Sequence, residues 1–91
     1  MSDIINMSFE TAAQKVKNLK SSPADDELLS LYGLYKQSVV GDCGTDRPGM
    51  MYIKEKAKWD AWNGRKGLSK SDAEAEYVVI AEKMVAKYGM K

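Results

Sequence analysis

SSPADDELLSLYGLYKQSVVG, residues 21–41, carries the start and stop signals of one long α-helix. Ser22 is placed to cap the helix, and Pro23 has the fixed φ angle of a first helical residue. The three acidic residues at 25–27 suit the positive end of a helix dipole. The pattern therefore predicts a helix over residues 23–40 that ends at the glycine following it.

Similar signals on either side predict three further helices. Ser8 precedes apolar residues spaced three and four apart, which predicts a helix over residues 8–19. A third helix is predicted over 52–63 and a fourth over 70–88, where SKSD is a variant of the capping box. Strict alternation of apolar and polar residues is nowhere sustained, so no strand competes. We predict an all-α four-helix bundle, with residues 1–91 forming one domain.

The connection between the second and third predicted helices is GDCGTDRPGM, residues 41–50. It is long for a helical bundle, which indicates more than a tight turn. It holds Cys43, the single cysteine of the chain, so no internal disulfide can form. The sequence contains no histidine, which leaves a zinc site with too few ligands and Cys43 without a base to activate it.

Composition restricts the class of protein. Charged residues make up 30% and hydrophobic residues 44% of the 91 residues, which is a soluble globular balance. The formal net charge of +1 provides no general attraction for nucleic acid, so any anion site must be local. No apolar run reaches the roughly 20 residues of a membrane span. Because the N-terminus also lacks a charged and apolar leader, we expect a cytoplasmic protein without stable membrane insertion.

Aromatic and cationic residues recur together in the second and third predicted helices. Tyr32, Tyr35 and Lys36 lie within about one turn. Lys54 and Lys58 are four residues apart on the third helix. A phosphate group needs compact positive charge, and a nucleobase needs a flat apolar surface, so a phosphorylated nucleotide would suit these residue types. Lysines at this spacing are also common on a purely solvated helix face.

Two tryptophans and one glycine have structural interpretations. Trp59 and Trp62, three residues apart, are expected to pack the third helix against the bundle. Tyr77 fits the core face of the fourth helix by its spacing, so a core role competes with a binding role there. Gly33 lies inside the second helix, costs about 1 kcal/mol relative to alanine and is expected to loosen the helix locally.

Two other functions compete with ligand binding. A helical interaction module could use the Tyr and Lys face for a protein or an anionic membrane surface. A hydrolase is disfavoured because the sequence offers no histidine, no Ser-x-Gly elbow and no metal-ligand set.

Four blocks in order resemble the acyl-CoA-binding protein family, also called the diazepam-binding inhibitor family. They are YGLYKQSVVGD at 32–42, RPGM at 47–50, KAKWDAWNG at 56–64, and Tyr77. The resemblance spans Phe9 to Tyr88. It implies an up-down-down-up bundle in which the long connection crosses between helices 2 and 3.

The resemblance also implies a function. The family binds fatty acyl-CoA thioesters without reacting with them, so we expect non-catalytic transport and buffering of medium- to long-chain acyl-CoA by a cytoplasmic monomer. No metal or other cofactor is expected, because acyl-CoA is a carried ligand. The expected partners are acyl-CoA itself and, transiently, membranes or enzymes that use acyl-CoA.

The family's binding positions fall on seven residues, which are Lys17, Tyr32, Tyr35, Lys36, Lys54, Lys58 and Tyr77. By the resemblance, Lys36 and Lys58 meet the 3'-phosphate of CoA with Tyr35 beside them. Tyr32 and Tyr77 would contact the nucleotide, while Lys17 and Lys54 would form an outer polar rim. The candidates for the acyl-chain groove, for most of which core packing is an equal alternative, are Met7, Phe9, Ala13, Leu28 and Leu29.

Overall fold

A computed structural model describes residues 8–91 of the chain. In this part, the helices are α1 at Phe9–Val16, α2 at Asp25–Val39, α3 at Ile53–Asn63 and α4 at Lys70–Tyr88. The only β pairing there is an isolated bridge between Leu19 and Met90. The predicted all-α, four-helix fold is confirmed. None of these described helices is both long and apolar enough to cross a bilayer.

Serine side chains cap α1 and α4 as their positions predict. The Thr11 N–H donates to Ser8 Oγ at 3.1 Å, and the Asp72 N–H donates to Ser69 Oγ at 3.1 Å. The α-helix α1 ends at Val16, three residues before the predicted end. The chain then leaves the helix so that its backbone meets the end of α4, where the Lys91 N–H donates to the Asn18 carbonyl at 2.9 Å.

The start of α2 differs from the prediction. The helix begins at Asp25 with Ala24 at the N-cap position, so Ser22 is not the cap and Pro23 lies outside the helix. The reason is a side chain inside the helix, because Glu27 Oε1 accepts the Ala24 N–H at 2.9 Å. An unpaired backbone donor of the first turn is thereby satisfied without a serine cap.

The direction of each helix follows from pairs of contacting residues. Phe9 meets Tyr77 and Leu19 pairs with Met90, so α1 and α4 run parallel. The α2 helix runs antiparallel to α4, because its early and late residues contact late and early residues of α4. The α3 helix runs parallel to α2, because Lys58 lies over Tyr32 and Lys36 lies over Trp62. These pairings confirm the up-down-down-up topology.

The hydrophobic core lies among α1, α2 and α4. On α2 and α4 its buried members are spaced three or four residues apart. The buried residues are Ala12 of α1, Leu19 beyond the end of α1, Leu31 and Leu34 of α2, and Ala73, Tyr77, Ala81 and Met84 of α4. The α3 helix packs on the other side of α2, at Gly33. A Cβ atom on Gly33 would overlap the Ala61 carbonyl oxygen and lie 2.8 Å from its carbon. Glycine at this position thus permits the close approach of two helices.

The long α2–α3 connection is fastened to α3 by both tryptophans. Trp62 Nε1 donates to the Gly41 carbonyl at 2.8 Å, and Trp59 Nε1 donates to the Thr45 carbonyl at 2.9 Å. Trp62 is buried, whereas Trp59 is only half-buried, so the two residues differ in how much core they provide. A bidentate ion pair between Arg47 and Asp60, at 2.9 and 2.8 Å, adds a third tie. The connection is therefore an ordered part of the fold.

Candidate functional site

A cleft of ≈ 610 Å³ lies between α1 and α2, and Tyr77 of α4 also lines it. Eleven residues line it: Phe9, Glu10, Ala13, Gln14, Val16, Lys17, Leu28, Leu31, Tyr32, Tyr35 and Tyr77. The volume is in the ordinary range for small-molecule sites. Most of the wall is aliphatic or aromatic, and the polar groups lie at its edges.

Three aromatic rings form one wall of the cleft. Phe9 stacks on Tyr35 at 5.7 Å between ring centroids and meets Tyr77 edge-on at 5.1 Å. Tyr35 and Tyr77 are 6.2 Å apart. Burial, together with a smaller contribution from Tyr35, raises the pKa of Tyr77 to about 12. The phenol of Tyr77 therefore stays neutral at physiological pH and presents a flat surface without charge.

A polar stripe on α1 forms the opposite edge. Glu10, Gln14 and Lys17 are spaced four and three apart, so they follow one face of the helix from its first turn to its C-cap. Lys17 was expected here from the family resemblance, whereas Glu10 and Gln14 were not predicted, since the apolar face of α1 alone does not indicate them. The spacing of these two residues relative to Lys17 was the available signal.

Two ammonium groups lie over aromatic rings where α2 and α3 meet. Lys58 Nζ is 5.5 Å from the centroid of the Tyr32 ring, which itself lines the cleft. Lys36 Nζ is 4.9 Å from the centroid of Trp62. Neither lysine is in an ion pair with any residue of the described range 8–91. Both positive charges are therefore available to an anion, and the rings orient them.

The structure brings together most, but not all, of the predicted site residues. Lys17, Tyr32, Tyr35 and Tyr77 line the cleft, as do three of the groove candidates, Phe9, Ala13 and Leu28.

The remaining predicted residues lie elsewhere. Lys36 and Lys58 are at the α2–α3 contact, and Lys54 is exposed one helical turn before Lys58. Leu29 is half-buried and does not line the cleft. Met7 lies outside the described residues.

A small helical bundle that combines an aromatic cleft, Lys17 at that cleft and two further lysines without acidic partners in residues 8–91 has the features of a ligand-binding domain. A family model described as "Acyl CoA binding protein" matches residues 6–81. The chain is 55% identical over 85 residues to acyl-CoA-binding protein homolog 1 of Caenorhabditis elegans, covering 93% of this chain and 99% of that protein. It is 54% identical over 80 residues to the acyl-CoA-binding protein of Dictyostelium discoideum, covering 88% of this chain and 95% of that protein.

A solved structure agrees with these sequence matches. The crystal structure of Oryza sativa acyl-CoA-binding protein 2 is similar with a TM-score of 0.85 and 38% identity, over 91% of this chain and 90% of that one. The chain belongs to the acyl-CoA-binding protein family.

Proposed function

We propose that this protein binds medium- to long-chain fatty acyl-CoA esters reversibly and without catalysis, and thereby buffers and transports them as a cytoplasmic monomer. One observation carries the proposal. An apolar cleft with an aromatic wall includes Tyr32, whose ring lies under the Lys58 ammonium, and neither Lys58 nor Lys36 at the α2–α3 contact has an acidic partner in residues 8–91. A ligand with an apolar tail suits the cleft, and its phosphates suit the two lysines.

The two lysines supply the site for phosphate. Lys58 approaches Tyr32 from α3, and Lys36 comes from α2 itself, so one anion at this contact can draw on two helices. The Tyr32 ring forms part of the cleft wall and, at the same time, holds the Lys58 ammonium. Charge-assisted hydrogen bonds from such groups to a phosphate are about twice as strong as neutral ones. Lys17 places a further cation at the edge of the cleft on α1.

The apolar wall supplies the site for the acyl chain. Leu28 lines the cleft and is exposed, so a tail lying against it would cover apolar surface that water now contacts. Each buried methylene contributes about 0.8 kcal/mol. A chain of roughly a dozen methylenes could then contribute up to about 10 kcal/mol before the cost of ordering it. We therefore expect chain length to determine affinity.

The proposed role is carriage, with acyl-CoA as the ligand and no cofactor. Tyr77, the most deeply buried titratable group of the cleft wall, is a neutral phenol and a poor base at physiological pH. The sequence has no histidine to activate water or a nucleophile. A carrier of this kind exchanges its ligand with enzymes that use acyl-CoA, or with membranes that it contacts transiently.

Calorimetry tests the proposal directly. Palmitoyl-CoA, free CoA and palmitate are titrated into the protein at one stated ionic strength, because exposed charges are screened by salt. We expect palmitoyl-CoA to bind far more tightly than either half. Equal affinity for palmitate and palmitoyl-CoA would contradict the proposal. Release of free CoA during long incubation with pure protein would contradict the absence of catalysis.

Single-lysine variants test the phosphate site. Lys36→Ala and Lys58→Ala should each weaken binding by about 1.5–3 kcal/mol, the range for a hydrogen bond to a charged group. Lys83→Ala removes the same charge from an exposed position on α4 outside the cleft, so it is the matched control. Acyl-dephospho-CoA, which lacks the 3'-phosphate, should bind the wild type and the Lys36 and Lys58 variants about equally. If each variant lost as much affinity for acyl-dephospho-CoA as for acyl-CoA, these lysines would not bind the 3'-phosphate.

A further inference from the structure

Four consecutive large apolar residues are exposed where the long connection enters α3. Met50 is 84% exposed, Met51 92%, Tyr52 61% and Ile53 73%. We call these four residues the apolar tip. Single exposed apolar side chains are ordinary on protein surfaces, but a contiguous group of this size indicates an interaction surface.

The apolar tip begins in a hydrogen-bonded turn. The Tyr52 N–H donates to the Gly49 carbonyl at 3.1 Å, which places Met50 and Met51 at the two central positions of the turn. The Arg47 and Asp60 ion pair ties the base of this segment to α3. The exposure of the tip is therefore a feature of a fastened loop.

The chemistry of the tip favours a lipid bilayer as the partner. Its residues span a turn and the first residue of a helix, so they do not form one face of a helix or sheet of the kind that packs on a rigid protein surface. A bilayer interface accommodates exposed apolar side chains on such a segment, and tyrosine is enriched at that depth. Lys54 and Lys56 follow within three residues of Ile53 against one acidic residue, Glu55, which suits anionic head groups.

The position of the tip relative to the cleft also favours a lipid bilayer as the partner. The helices α2 and α3 run parallel, with Lys58 over Tyr32. Ile53 precedes Lys58 by five residues, which is about 7.5 Å along the axis of α3. Five residues before Tyr32 on α2 is Glu27, the neighbour of Leu28. The tip is thus level with the end of the cleft where Leu28 is exposed. On the proposed function, this is the end from which an acyl chain would enter or leave.

We propose that the apolar tip, with the lysines that follow it, docks this protein on the surface of anionic lipid bilayers. Met50, Met51 and Ile53 enter the interfacial region, while the ammonium groups of Lys54 and Lys56 face lipid phosphates. The formal net charge of +1 makes the attraction local and weak, so the docking is reversible.

The test is partitioning of the full chain, without acyl-CoA, onto vesicles of phosphatidylcholine and of phosphatidylcholine with phosphatidylserine in a three-to-one mixture. We expect stronger binding to the anionic vesicles and weakening by salt. Ile53→Glu should reduce the partition coefficient about tenfold, equivalent to about 1.4 kcal/mol. A glutamate in the first turn of α3 is compatible with the helix dipole, so this variant should fold.

Val79→Glu is the matched control. Val79 is an exposed apolar residue on α4, 48% accessible, and its substitution changes the net charge by the same amount. We expect less than a twofold change, and Ile53→Leu should retain the wild-type partitioning. Equal losses in both glutamate variants, or no binding of the wild type to anionic vesicles, would overturn the proposal. Self-association that Ile53→Glu abolishes, without vesicle binding, would instead assign the tip to a second copy of the chain.

Calorimetry with palmitoyl-CoA in the absence of vesicles separates this inference from the proposed function. Ile53→Glu should bind palmitoyl-CoA as the wild type does, since Ile53 does not line the cleft. A wild type that binds vesicles but not palmitoyl-CoA would refute the proposed function and leave the docking surface in place. A wild type that binds palmitoyl-CoA but not vesicles would refute the docking surface and leave the proposed function in place.

Discussion

Gly33→Ala is expected to destabilise the protein, although alanine is the better helix former. On helix propensity alone, the substitution inside α2 should stabilise the protein by about 1 kcal/mol. However, the new Cβ would overlap the Ala61 carbonyl oxygen and lie 2.8 Å from the carbonyl carbon and 3.3 Å from the Trp62 nitrogen. All three are backbone atoms of α3, which cannot rotate away as a side chain would.

The helix α3 would therefore have to move as a unit. Its position is fixed by the hydrogen bond from Trp62 to the Gly41 carbonyl and by the ion pair between Arg47 and Asp60. We therefore expect the overlap to cost about 3 kcal/mol of stability, the upper end of the usual range for overpacking. The net loss is then about 2 kcal/mol. An unfolding entropy of about 2.1 cal/mol/K per residue gives about 0.19 kcal/mol/K for this chain, so Tm should fall by about 10 °C.

Urea and thermal unfolding followed by circular dichroism measure this effect. Gly44→Ala is the control, since no atom lies within 4 Å of a Cβ at that position and its φ is not in the left-handed region. The control should leave stability unchanged or slightly raised. If Gly33→Ala stabilised the protein by about 1 kcal/mol, propensity would dominate, and the close approach of α2 and α3 would be refuted.

Three further predictions concern Glu27, Tyr77 and the tryptophans. Hydrogen bonds, first from the Tyr88 hydroxyl and then from the Ala24 N–H and Lys87, lower the pKa of Glu27 from 4.5 to about 2. The ionised Glu27 carboxylate therefore stabilises the fold fully above about pH 4.5, and this contribution is lost as the pH falls toward 2. In urea titrations, the difference in unfolding free energy between wild type and Glu27→Gln should shrink as the pH is lowered over that interval. In an ultraviolet titration, one of the five tyrosines should ionise only near pH 12, and Tyr77→Phe should remove that step; a wild-type titration complete by pH 11 would contradict it. Trp62→Ala should cost about 3–5 kcal/mol and Trp59→Ala about half as much, because only Trp62 is buried; equal losses would refute this distinction.

The fold was predictable because its signals are local. Ser8 and Ser69 cap the helices that follow them, and Gly89 has the positive φ of 78° that a helix-ending glycine often adopts. The start of α2 was not predictable from Ser22 and Pro23, because the competing hydrogen bond comes from a residue inside the helix. Whether Glu27 would reach back depends on the α4 residues that also bind it.

The candidate site was predictable in composition but not in arrangement. Spacing alone makes Lys54 and Lys58 equivalent, and only the packing of α3 on α2 places the Lys58 ammonium over the Tyr32 ring. The same packing explains Gly33, which the sequence presents simply as a weak helix former. The resemblance to the family supplied a set of expected binding positions that spacing could not select, and these positions stay a prediction.

The parallel contact between α1 and α4 has a consequence for synthesis of the protein. These are the first and last helices of the described chain, and the core between α1 and α2 is completed by Ala73, Tyr77, Ala81 and Met84 of α4. A nascent chain that has emerged only as far as α3 therefore exposes the apolar faces of α1 and α2 to chaperones. Cooperative folding must wait until α4 has left the ribosome, so this domain is expected to fold after translation of its last helix.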